Sequence, residues 1–182
     1  MKIVFATLHV RRSRQAVPLA AACLGASLTP ERRKRTALVD LFPDQPEALM
    51  LEAILAHEPE LVAFSIYAWN RKTALQLARQ IRNRSPQTVL VAGGPEATAD
   101  PQPFLRGGAF DGVVRGDGEA IFSRLVEALE KGADPAGIAG LSWGTTCGAA
   151  DDEELPALEV DQLPSPWLTG LLTPGEGVLW ET

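Results

Sequence analysis

The chain is poor in the residues from which most metal and nucleophilic sites are built. Of 182 residues only two are cysteine, Cys23 and Cys147, and only two are histidine, His9 and His57. Two cysteines far apart and in no CxxC pair exclude a disulfide scaffold and a four-cysteine metal site within this chain. No apolar run approaches the roughly 18 residues that a membrane-spanning helix requires. The opening residues 1–7 lack the layout of a secretion signal and read as a strand. Between Thr7 and Leu24 there is no glycine, so the GxGxxG dinucleotide fingerprint is missing after the first strand. No GxxxxGKS or GxxxxGKT phosphate loop occurs, and no Ser-His-Asp or Cys-His arrangement stands out. A phosphoacceptor site needs carboxylates at the ends of strands one and three, where Thr7 and Ser65 stand instead.

What is present is a chain 46% hydrophobic and 22% charged, the profile of a soluble globular protein of one domain plus an appendage. Its net charge of −6 is uneven: residues 1–35 carry eight basic side chains and one acidic, the remainder nine basic and 22 acidic. So acidic a body is a poor nucleic-acid binder, and the cytoplasm is the expected location. The cluster Arg32-Arg33-Lys34-Arg35 reads as a solvated loop before a strand; with Arg11, Arg12 and Arg14 it also offers a place for a local anion.

Short apolar runs alternate with amphipathic stretches. Strands are expected over 2–8, 36–42, 61–66, 88–92 and 111–114, with helices over 16–28, 46–56, 72–84 and 119–131. Continuous apolar strands separated by helices imply a parallel sheet covered on both faces. The fold class is therefore α/β, a doubly wound (flavodoxin-like or Rossmann-like) five-stranded parallel sheet, followed by a C-terminal hairpin and linker. The domain proper is expected to span 1–135. Beyond it, 136–182 holds a hairpin with strands at 138–143 and 155–160, then a proline- and glycine-rich strap. Residues 178–182 read as the first half of another strand, so the chain is expected to end at a cut.

Ligands of such sheets bind beyond the carboxyl ends of the strands, near the point where strand order reverses. The loops at that end carry Thr7-Leu8-His9, Ser65-Ile66-Tyr67-Ala68-Trp69-Asn70, Gly93-Gly94-Pro95-Glu96 and Gly116-Asp117-Gly118-Glu119. Gly93-Gly94 permits either close backbone approach to a bulky ligand or a tight strand exit. Tyr67 and Trp69 suit a flat apolar partner such as a macrocycle, or packing against a neighbouring domain. Asp117 is placed as an N-cap and Glu119 to complement a helix dipole. His9, on the first of these loops, is a candidate metal ligand; His57 reads as a helix-end cation, and Cys23 as inert core.

Taken together, these loops resemble the cobalamin-binding domain that precedes the catalytic barrel in cobalamin-dependent radical S-adenosylmethionine proteins. The order and spacing of the ATL turn at 6–8, SIYAWN at 65–70, VAGGPEAT at 91–98 and DGVVRGDGE at 111–119 carry the resemblance, which runs over most of the chain. The stretch 163–167 resembles the strap joining the two domains of that family. By resemblance, cobalamin (vitamin B12) is held by Thr7, Leu8, His9, Ser65, Tyr67, Ala68, Trp69, Asn70, Gly93, Gly94, Pro95, Glu96, Gly116, Asp117, Gly118 and Glu119. His9 is the candidate lower ligand of cobalt, but the Asp-x-His-x-x-Gly motif that supplies this ligand in other cobalamin domains lacks its Asp and Gly here, and cobalt left without a protein nitrogen below is the alternative. S-adenosylmethionine and a four-iron four-sulfur cluster would belong to a radical SAM domain of the same polypeptide, with methyl transfer as the reaction and no catalysis by this part alone. A flavodoxin-like FMN module and a ligand-free interaction domain are the alternatives.

Overall fold

The computed structural model describes residues 1–13, 16–144, 161 and 163–173. Six strands, β1 (Ile3–Leu8), β2 (Thr36–Leu41), β3 (Leu61–Ser65), β4 (Val89–Gly93), β5 (Gly112–Val114) and β6 (Leu141–Trp143), form one sheet in the order β2-β1-β3-β4-β5-β6. The first five run parallel, as expected from their near-continuous apolar character. The first half of the expected hairpin joins them as a sixth, antiparallel strand. Trp143 pairs with Gly112 across β5 and β6, and its ring occupies the space a Cβ on Gly112 would take, 2.5 Å from Cε3. The expected return strand, 155–160, and the final half-strand, 178–182, lie outside the described residues.

Helices α1 (Leu19–Ala26), α2 (Pro30–Arg33), α3 (Glu47–Leu55), α4 (Arg71–Arg84), α5 (Pro95–Ala99), α6 (Gln102–Leu105) and α7 (Gly118–Glu130) connect the strands. α1 and α7 cover one face, where Ile3, Phe5, Leu61, Ala63 and Val91 meet Ala21, Phe122, Leu125 and Val126. α3, α4 and α6 cover the other, where Val4, Ala6, Val62 and Phe64 meet Ile54, Leu77, Ile81 and Phe104. Strand alternation explains the sorting: odd residues of β1 face α1 and α7, even residues face α3 and α4. In α4 the buried set Ala74, Leu77, Ala78 and Ile81 follows helical spacing. Burying Leu77 and Ile81 fully contributes about 2 kcal/mol each. Asp111 ties β5 into place, its Oδ2 accepting from the Leu90 amide at 2.7 Å and Arg82 Nη2 at 2.6 Å.

Three local expectations are corrected. The first helix starts at Leu19 and not Ala16, because Val17 precedes Pro18 and is biased towards extended backbone. Half of the basic stretch departs from a solvated loop: Lys34 and Arg35 are exposed turn residues before β2, but Thr29 caps the short helix α2, whose Arg32 pairs with Glu130 at 2.9 Å. Arg33 Nη2 donates to the carbonyls of Ala26 and Leu28 at 2.7 and 3.0 Å, closing the end of α1. Arg12, expected to be open to an anion, is engaged by Asp44 at 3.1 Å and lies over the Phe42 ring at 4.3 Å.

Candidate cofactor site

Strand order reverses between β1 and β3, and two clefts open at the carboxyl end of the sheet, one on each face. The first lies between the sheet and α1/α7, with an open volume of about 760 Å³. Phe5, Ala63, Val91 and Val114 line it from the sheet; Ala20, Cys23, Leu24 and Phe122 line it from the helices. Around them stand Ser65, Tyr67, Gly93, Gly94, Gly116, Gly118 and Glu119, all singled out by the sequence. The second, about 740 Å³, lies on the α3/α4 side and is lined by Leu8, His9, Val10, Phe42, Met50, Trp69, Asn70 and Thr73 among others.

The loop residues are thus divided. Leu8, His9, Trp69 and Asn70 line the second cleft, while Thr7, Ala68, Pro95, Glu96 and Asp117 line neither. Asn70, only 4% exposed, works as a staple for its own loop. Its Oδ1 accepts from the Tyr67 amide at 2.9 Å, and its Nδ2 donates to the carbonyls of Ser65 and Leu8 at 2.9 and 3.4 Å. His9 Nε2 lies 2.7 Å from Asp40 Oδ1, with the imidazole stacked on Phe42 at 5.1 Å between centroids. Glu96 pairs with Arg71 at 3.3 Å. Asp117 occupies the N-cap position of α7, but its carboxylate accepts no capping bond. Thr7 shares a strand face with Phe5, and its buried Oγ1 has no hydrogen-bond partner among the described residues.

Tyr67 and Trp69 stack with ring centroids 4.5 Å apart and planes 11° from parallel, one lining each cleft. Their stack forms the ridge between the two, and Trp69 remains 57% exposed.

The two adjacent glycines have different reasons to be glycine. Gly94 has φ +92°, and a Cβ there would stand 2.8 Å from the Ile66 carbonyl oxygen. Ile66 N donates to Gly93 O at 2.7 Å and Glu96 N to Ile66 O at 3.3 Å, which draws the two loops together at that point. Its requirement is thus internal, the tight strand exit. Gly93 has ordinary backbone, and its Cβ would meet Val114 O only at 3.6 Å. A larger side chain there would extend into the first cleft, which Gly93 lines. Cys23, expected to be inert core, is half-buried and on the cleft wall. The apolar wall of Phe5, Ala63, Val91, Val114 and Phe122 escaped the site reading because each residue reads first as core.

An open, mostly apolar cleft at the switch point, with a glycine in its wall and the Ser65 hydroxyl on the strand face turned to it, fits a bulky, partly polar cofactor. The family model for the B12 binding domain matches residues 10–126, and the chain belongs to this family. It is similar to an uncharacterized methyltransferase of Pyrococcus horikoshii, 30% identical over 82% of this chain and 33% of that protein. It also resembles TokK of Streptomyces tokunonensis, a cobalamin-dependent radical SAM methyltransferase, 32% identical over 63% of this chain and 17% of that one. The chain therefore spans about a third or less of the length of these relatives. Among solved structures, the radical S-adenosylmethionine methyltransferase TsrM from Kitasatospora setae shares the fold with a TM-score of 0.62, at 22% identity over 78% of this chain and 28% of that one. OxsB, a cobalamin-dependent S-adenosylmethionine radical enzyme, matches equally at 0.62, with 15% identity over 79% of this chain and 21% of that one.

Proposed function

We propose that the chain holds cobalamin through the first cleft and serves a radical SAM methyltransferase, whose catalytic domain would follow in the same polypeptide. One observation supports this reading: among the described residues, the α1/α7 cleft at the strand-order reversal has an unobstructed glycine, Gly93, beside the hydroxyl of Ser65, and the α3/α4 cleft has no glycine in its lining. Ser65 and the backbone around Gly93, Gly116 and Gly118 would supply the polar contacts, with Phe5, Val91, Val114 and Phe122 as the apolar wall. Bound cobalamin supplies cobalt chemistry, the carrying of a methyl group, and the protein orients it and sets its surroundings.

His9 is read as a structural residue and not as the lower ligand of cobalt; its bond to Asp40 and its stack on Phe42 support this. The S-adenosylmethionine and iron–sulfur cluster belong, in this reading, to the partner domain, and this part alone binds without catalysing. The test is a visible-absorption titration with hydroxocobalamin followed by desalting. About one corrinoid retained per chain is expected. Retention of FMN instead, under the same treatment, would overturn the reading in favour of a flavin module.

A further inference from the structure

We infer that the strap over residues 163–173 is a clamp on α1, and that it sets how tightly the first cleft closes on its ligand although it does not itself line the cleft. The inference rests on the cobalamin reading above.

α1 is the weakest wall of the cleft by its own composition. It is eight residues long, LAAACLGA, with no charged side chain and no side-chain cap at its N-terminus. So short a helix is marginal alone and owes its place to packing, and an apolar surface on all sides must be covered on all sides. Its inner side meets the cleft through Ala20, Cys23 and Leu24. On its other side, Leu172 of the strap is buried against Leu19 and Ala22, with Val17, Leu38 and Trp167 packed around them.

The strap comes preformed. Pro166 O accepts from the Leu172 amide at 3.1 Å and from Thr169 Oγ1 at 3.2 Å, and the Thr169 amide donates to Ser165 O at 3.0 Å. Gly170, at φ +77°, turns the chain so that Leu171 and Leu172 follow. Leu171 then reaches the one glycine of α1: a Cβ on Gly25 would stand 3.0 Å from Leu171 Cδ1 and 3.6 Å from Phe5 Cε2. Phe5 lines the cleft, so strap, helix and cleft wall meet at Gly25. Cys23 joins the same series, packing against the Leu172 cluster while lining the cleft.

A coupling of this kind is reciprocal: if the strap holds the wall for the ligand, the ligand must hold the strap. The first arm therefore uses the unaltered chain, comparing backbone hydrogen exchange of 163–173 with and without saturating hydroxocobalamin. Slower exchange with the corrinoid is expected, though the strap lies outside the cleft. In the second arm Leu172→Ala should bind about tenfold more weakly, and Leu172→Met within about twofold of the parent, with α4 exchange unchanged in both. Unchanged strap exchange, or full affinity in Leu172→Ala, would overturn the clamp. If Leu172→Ala fails to fold, the exchange arm decides alone. If the unaltered chain retains no hydroxocobalamin, the cobalamin reading itself falls and the clamp with it, an outcome distinct from binding without strap protection.

Discussion

The two clefts at the carboxyl end of the sheet both open to solvent and are built in opposite ways. In the α3/α4 cleft the polar side chains are spent on the protein. His9 is bound to Asp40, Gln45 accepts from the Phe42 amide at 2.8 Å, Glu47 takes a bond from Gln80 at 3.2 Å, and Asn70 staples its own loop. The α1/α7 cleft has an apolar wall interrupted by glycines and by Ser65. Volume alone does not mark a ligand site; unspent hydrogen-bonding capacity and backbone open to close approach do.

That contrast breaks most visibly at Gly93. Gly93→Leu should abolish corrinoid retention, a loss of more than about 100-fold, while Thr73→Leu, which fills the other cleft, should leave it within about twofold. Titration and desalting of both variants checks this, and the reverse pattern would exchange the roles of the clefts. Gly94→Leu is no substitute, because its side chain meets the Ile66 backbone before any ligand.

A smaller effect sharpens the other side of the comparison. His9→Ala should leave the visible spectrum of the bound corrinoid unchanged while costing about 1 kcal/mol of stability through the lost Asp40 bond. A shifted spectrum would place the imidazole on cobalt after all. The smallest effect lies at the far end of the sheet. Burial opposes ionisation of Glu130, but its bonds to Arg32 and to the Met1 amino group outweigh this and hold its carboxyl below the usual glutamate range. A lowered carboxylate value stabilises the fold above the ordinary glutamate pKa, and that contribution is lost as pH falls through the lowered value. Urea denaturation from pH 6 down to pH 3 should lose up to about 1 kcal/mol in the parent that Glu130→Gln does not lose, with corrinoid binding at pH 7 equal in both.

Much of this was legible in the residues. The five parallel strands followed from runs such as Leu61–Ser65 and Val89–Gly93, whose apolar continuity leaves no wet face. Seven loop residues fell on one cleft because strand ends and glycines are marked in sequence. The division of the others was not legible: residues 67 and 69 are neighbours in the chain, and only the turn stapled by Asn70 sends one ring to each face. Nor was the different standing of Gly93 and Gly94, since a requirement imposed by the Ile66 backbone, 27 or more positions away, leaves no trace in local spacing. The antiparallel pairing of the sixth strand sets Trp143 over Gly112 with the whole of α7 between them in the chain, which periodicity does not reveal.

The backbone lock between Ile66 and the Gly93-Gly94 turn bears on how such a domain can diverge. Two loops joined by amide-to-carbonyl bonds in both directions behave as one inherited part. An insertion or deletion between β3 and α4 would misplace Ile66 and undo the turn after β4 as well. A change of length there disturbs both loops at once, whereas exposed side chains outside the lock, such as Ala68, remain free to vary. In a chain of this kind, drift in loop length is expected elsewhere, and the spacing from Ile66 to Asn70 should outlast the identity of the residues between them.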